Sequence, residues 1–145
     1  MKHPFEFLPL VLIVVLTAGC SNESKLNSDA CVQFDREPFD FDRAVESVDL
    51  LAHVKISELH SVIHEHGVNA PVFEVEILEV IKGESGQETI TVFQDKECEF
   101  DLFEEGEEWI LFLNEYVDFP EAEYWIEGSK DGVFRIDDAV IEEIR

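Results

Sequence analysis

Cys20, Cys31 and Cys98 are the only thiols in this chain of 145 residues, and four of its five histidines, His53, His60, His64 and His66, fall in one short stretch. A cysteine offers three chemistries: a disulfide, a reactive thiolate, or a point of covalent attachment. His60, His64 and His66 form the pattern H-x-x-x-H-E-H with Glu65, and neutral imidazoles beside a carboxylate suit zinc or copper. On a helix His60 and His64 would share a face, and on a strand His64 and His66 would. The segment reads as the connection between two strands, where a loop could turn all three toward one ion. The plain alternative is a polar hairpin connection with exposed histidines. His53 reads as an ordinary strand residue.

Catalytic signatures are missing from the sequence. There is no Gly-x-Ser-x-Gly elbow, no phosphate-cradling loop and no HExxH zinc motif. The 34 acidic residues are too many for any pair to stand out as a general acid and base. The expectation is a non-catalytic protein with no required cofactor, zinc or copper at the histidines being the exception.

The surroundings of Cys20 are more informative than the thiol itself. Lys2 supplies a positive charge, Phe7 to Leu16 is an uncharged apolar run of about ten residues, and Ala18-Gly19 places small side chains directly before Cys20. Charge, apolar run and small residues, in that order, make a secretory signal. A helix needs roughly 20 residues to cross a bilayer, so a lasting membrane span is the weaker interpretation. Residues 16–20, LTAGC, resemble the lipobox of bacterial lipoproteins, with one departure: Thr17 stands where that family most often has Leu. The resemblance implies cleavage after Gly19 and a diacylglycerol thioether on Cys20, with palmitate or a similar acyl chain on the new amine. Each buried methylene of such chains contributes about 0.8 kcal/mol, so two or more chains anchor stably. It also implies a lipid-anchored protein facing the extracytoplasmic side of the cell membrane, or of an outer membrane.

Residues 1–19 are then the signal. Residues 20–30 (CSNESKLNSDA) contain one apolar side chain of any size and read as a lipidated flexible tether. Residues 31–145 form a single domain. Lys2 and Glu6 cancel within the signal, so the mature chain keeps the net charge of −24. Such a charge excludes nucleic acid as a natural partner, because phosphate binding is driven by Lys and Arg. It also repels anionic lipid, leaving the anchor to hold the bilayer.

Within the domain, Phe41, Ala44, Val45 and Val48 fall at i, i+3, i+4 and i+7, one face of a short helix that Asp40 can cap. Leu50 to Leu59 passes from a solid apolar run into alternation. A turn is expected around 65–71, then a half-buried strand over Val72 to Val80 with Phe73, Val75 and Ile77 opposite Glu74 and Glu76. Thr89 to Gln94, Trp109 to Leu113, Tyr124 to Glu127 and Val133 to Ile136 read as further strands, and the unbroken run Trp109 to Leu113 reads as covered on both sides. Many short strands with few helices predict a mainly β fold: a small closed or partly open antiparallel barrel with one or two short flanking helices.

The order Cys31, FDRAVESVDLLAHVKIS (41–57), FEVEILEVIKG (73–83), TITVFQ (89–94), Cys98 and EGEEWILFL (105–113) resembles the netrin-like domains, which are similar to the inhibitory domain of tissue inhibitors of metalloproteinases. The implied fold is a five-stranded Greek-key barrel of the oligonucleotide/oligosaccharide-binding type. With Cys20 lipidated, Cys31 and Cys98 remain as a disulfide pair in an oxidising compartment, the alternative being two separate thiols. The inhibitors chelate zinc through a free N-terminal cysteine, a group that a lipidated Cys20 does not offer. The expected function is therefore a membrane-anchored binding module for an envelope or extracellular protein, with metal binding through residues 60–66 or protease inhibition by another surface as alternatives.

Overall fold

The computed structural model describes residue 26 and residues 30–35, 37–65 and 67–136. Asp40 opens helix α1, Phe41–Ser47: its carboxylate accepts a hydrogen bond from the Arg43 amide at 3.0 Å and satisfies one of the amides that a helix start leaves free. The apolar face predicted from the spacing is the face that packs. Ala44 and Val48 are buried with Leu51, Ile110 and Phe112, and Phe41 and Val45 lean on the same cluster.

Six strands follow: β1 (Leu50–Glu65), β2 (Val68–Gly83), β3 (Thr89–Phe93), β4 (Glu108–Glu115), β5 (Tyr124–Ile126) and β6 (Val133–Arg135), with a short 3-10 turn at Ser129–Gly132. They join in the order β1-β2-β3-β5-β4-β6, and β1 also pairs with β4. Five strands therefore close a ring, and the described residues form the small, mainly β barrel flanked by a short helix that the strand spacing predicts. One pairing departs from the antiparallel expectation: β3 and β5 run parallel through Val92–Tyr124 and Phe93–Trp125. β6 extends the sheet along the edge of β4 that β5 leaves open, pairing Trp109 to Leu111 while β5 pairs Leu113 to Glu115.

Alternation sends Leu50, Ala52, Val54 and Ile56 of β1 inward, with Val75 of β2, Ile90 and Val92 of β3, and Leu111 and Leu113 of β4. Phe103 and Trp109 join this core, their rings 5.4 Å apart. Burying each such Val, Leu or Ile contributes about 1.5–3 kcal/mol. On the outer face of the barrel, Phe112 meets Phe39, Phe41 and Phe134 at 5.5–5.6 Å, each edge to face. The run Trp109 to Leu113 is thus covered on both sides, as its unbroken apolarity predicts.

The first hairpin is longer than predicted. β1 runs to Glu65 and β2 begins at Val68, and these two residues pair, so the strands continue into the stretch 65–71 that the sequence marks as a turn. Ser57 and His60 on β1, and Leu78 and Ile81 on β2, are extra residues between successive cross-strand pairs. Such bulges bend and twist a hairpin, here around the barrel, and each one breaks the two-residue period in the sequence. Pro71 sits inside β2, paired with Val62, and its carbonyl accepts from the Gln94 amide at 3.1 Å. Its missing N–H lies on that same side, away from Val62, so the β1–β2 ladder loses no bond at this position.

Gly83 ends β2 with φ of +87°, and a Cβ there would lie 2.1 Å from the Asp49 carbonyl oxygen. Gly86, three residues on, has open space around it. Gly83→Ala is expected to lower stability by about 2 kcal/mol or more, and Gly86→Ala to stay within about 0.5 kcal/mol of the parent. Urea melts of the two variants check this difference.

Candidate functional site

The N-terminal arm meets the barrel at Val32, which forms an isolated parallel bridge with Glu97. The Val32 amide donates to the Lys96 carbonyl at 2.8 Å, and the Cys98 amide donates back to the Val32 carbonyl at 2.9 Å. These bonds bring Cys31 and Cys98 together, and the two are joined in a disulfide with their Cα atoms 5.0 Å apart. The receiving segment is itself fixed. Buried Gln94 accepts from the Phe103 amide at 3.0 Å, Glu97 accepts from the Lys130 amide at 2.9 Å, and Asp95 accepts from the Ser129 hydroxyl at 2.7 Å.

Cys20 and the expected signal, residues 1–19, lie outside the described residues. Of the expected tether only Leu26 and Ala30 are described, the Leu26 carbonyl accepting from Lys96 Nζ at 2.6 Å. No helix among the described residues is long and apolar enough to cross a membrane.

His60 and His64 lie on strand β1 and not in a loop. His60 is an exposed bulge residue of β1, and His64 is exposed near its end, with Nδ1 3.2 Å from Oδ1 of its cross-strand partner Asn69. Four residues of strand separate two positions by about 13 Å, too far for both imidazoles to reach one ion from an extended segment. His66 lies outside the described residues, and among those described no group of three His, Cys, Asp or Glu side chains is placed to hold a metal. His53 is a strand residue with 15% of its side chain exposed, Nε2 lying 3.9 Å from a Glu108 carboxylate oxygen.

A second feature escapes the sequence reading. The β4–β5 loop and the β2–β3 turn border an open groove of about 980 Å³ lined by Tyr116, Phe119 and Tyr124 together with Glu115, Asp118 and Glu123. Tyr116 stacks on Phe119 with ring centres 4.1 Å apart and planes 20° apart. Its other ring neighbour is Phe93, edge to face at 6.2 Å, and the loop packs over buried Ala70, Val72 and Ala122 with Ile63 of the hairpin. Glu123 braces the loop by accepting from the Thr91 amide at 2.8 Å, while its own amide donates to the Thr91 hydroxyl at 3.0 Å. The signal for this groove is the segment EYVDFPEAEYW (115–125), in which aromatic and acidic residues interleave and both tyrosines of the chain occur.

Burial raises the pKa of both phenols above the ordinary 10.0, and neighbouring carboxylates push in the same direction. These are Glu65, Asp95 and Glu121 around Tyr116, and Glu115, Glu123 and Asp49 around Tyr124. The groove is thus an aromatic surface ringed by negative charge. The sequence matches no protein-family model and no curated protein sequence.

Closing a loop of 67 residues with a disulfide contributes about 4 kcal/mol in the chain-entropy account. Cys31→Ser with Cys98→Ser is expected to lower the melting temperature by roughly 10 °C or more, read by circular dichroism, with native far-UV signal retained at low temperature. Alkaline titration at 295 nm checks the phenols: both are expected to ionise above pH 10 in the folded protein and near 10.0 in denaturant. Since folding raises these values, the stability they contribute is present below pH 10 and is lost as pH rises through the folded values.

Proposed function

We propose that this chain is a membrane-anchored extracytoplasmic lipoprotein whose barrel is a non-catalytic binding module. The observation that carries the proposal is the pairing of Cys31 with Cys98. With three cysteines in the sequence, that bond leaves no other cysteine of this chain for Cys20 to pair with. Cys20 stands directly after an apolar run and two small residues, where a lipoprotein signal would place its acylated cysteine. A stable disulfide agrees with an oxidising, extracytoplasmic setting.

The likeness to netrin-like domains draws support from three features: the ring of five strands, the flanking helix α1, and a bridge from the N-terminal arm to the segment after β3. The zinc-chelating activity of the metalloproteinase inhibitors is not part of the proposal, since it needs a free N-terminal cysteine. Acyl chains on Cys20 would hold the protein to the bilayer, and residues 21–30 would space the barrel from it. The negative charge of the barrel would keep it off anionic headgroups and phosphate backbones and open to cationic surfaces.

The test is detergent partitioning with a clickable palmitate analogue in a bacterial host. The parent chain is expected to incorporate the label and enter the detergent phase. Cys20→Ser should lose the label and stay in the aqueous phase, and Cys31→Ser should keep the label. Label on the Cys20→Ser chain, or none on the parent, would refute lipidation at this position.

A further inference from the structure

The groove beside the β4–β5 loop joins a stacked aromatic pair to carboxylates, whereas the recess beside α1, which also holds Phe34, Phe39 and Trp125 among acids, includes Arg43 in its lining. The recess beside the disulfide also gathers acids, but its buried carboxylate, Glu97, is already bonded to the Lys130 amide. In the loop groove, the stacked rings of Tyr116 and Phe119 are half-buried and both line the recess, and Val117 between them in sequence is 74% exposed. The described residues lining the groove include no Lys, Arg or His. Glu115 and Asp118 lie on the lining, and Glu65, Asp95 and Glu121 are close enough to Tyr116 to act on its phenol.

A negative rim around an aromatic plane attracts a cation, and the flatness of the plane selects which one. Aromatic faces attract cations through their quadrupole. A guanidinium is planar, stacks on a ring, and sheds water more readily than an ammonium. The chain already contains this contact, since the Arg135 guanidinium lies 4.8 Å from the centre of the Trp109 ring. The phenols stay neutral at physiological pH, so they present apolar faces and leave the negative charge to the carboxylates.

We propose that this groove is the docking site for an arginine-bearing segment of a basic protein partner, with one guanidinium lying against the Tyr116–Phe119 pair and the surrounding carboxylates balancing its charge. The inference deepens the binding-module function above by naming where the partner docks and what chemistry it carries. Its test is independent of lipidation, because it reads peptide binding and not membrane partition.

The probes are two fluorescent peptides of equal length and charge, glycine-serine spaced, one carrying four arginines and the other four lysines. Binding to the purified whole chain is followed by anisotropy at 150 mM salt, where diffuse attraction is largely screened. The arginine peptide is expected to bind at least threefold more tightly than the lysine peptide. Phe119→Ala, which leaves the net charge untouched, should weaken the arginine peptide at least fivefold and shrink its advantage over lysine. Asp118→Asn combined with Glu121→Gln alters two exposed side chains and spares the packed ring, and should weaken it at least threefold. Asp42→Asn with Glu46→Gln removes the same charge from α1 and should change it less than 1.5-fold. Equal affinity for the two peptides, or loss that follows net charge irrespective of position, would overturn the proposal. So would unaltered affinity in the Asp118/Glu121 variant.

Discussion

Leu50 to Lys55 of β1 carry ladders on both edges, to β2 on one side and to β4 on the other, and the rest of the barrel depends on this double pairing. Without the β1–β4 pairing the sheet would be open, with β1 and β6 as its edges. A slip of one residue at β1 would turn Leu50, Ala52, Val54 and Ile56 out of the core and disturb two neighbours at once. The same constraint explains why both strands read as solid apolar runs where they meet. Leu51, Ile110 and Phe112 point outward from the ring, and α1 with Phe39 and Phe134 covers them.

Legibility in the sequence followed the reach of the physics involved. Helix α1 and the strands around Val75 and Ile90 were legible because each has a buried face with a regular period, and the strand around Leu111 because its apolar run is unbroken. The full hairpin was not. The bulges at Ser57, His60, Leu78 and Ile81 shift the phase of alternation, and Pro71 reads as a turn when considered alone. The parallel β3–β5 pair was also beyond reach, because the order of strands around a ring is set by contacts between residues far apart in the chain. Cysteine chemistry needed only a count of thiols and the expectation that Cys20 is lipidated, so Cys31–Cys98 could be named. The groove at Tyr116 and Phe119 belongs to loops without any period, and its one sequence trace is aromatic residues set among acids.

The histidine segment shows the same limit from the other direction. H-x-x-x-H-E-H suggests convergence only if the backbone coils or loops. Cross-strand pairing of Val62 with Pro71, Ile63 with Ala70 and His64 with Asn69 keeps the backbone extended, with Ile63 and buried Ala70 packed under the β4–β5 loop. Apolar burial at alternate positions therefore decides the path of this segment, and His60 and His64 are carried along its exposed positions.

Charge sets the remaining balance. A net −24 on so small a chain opposes compaction, and one cross-strand pair, Glu58–Glu74, sets like charges opposite each other. Lys55 eases this where it faces Glu76 on one side and Glu108 on the other, but basic residues are too few to do so widely. A covalent tie between the arm and the segment after β3 stabilises the fold without adding or removing any of that charge. Folding gathers carboxylates around Tyr116 and Tyr124 that an unfolded chain would hold apart. A cation received at that place would interact more strongly with the folded chain than with the unfolded one, so the repulsion that strains the barrel is also what would make a basic partner stabilise it.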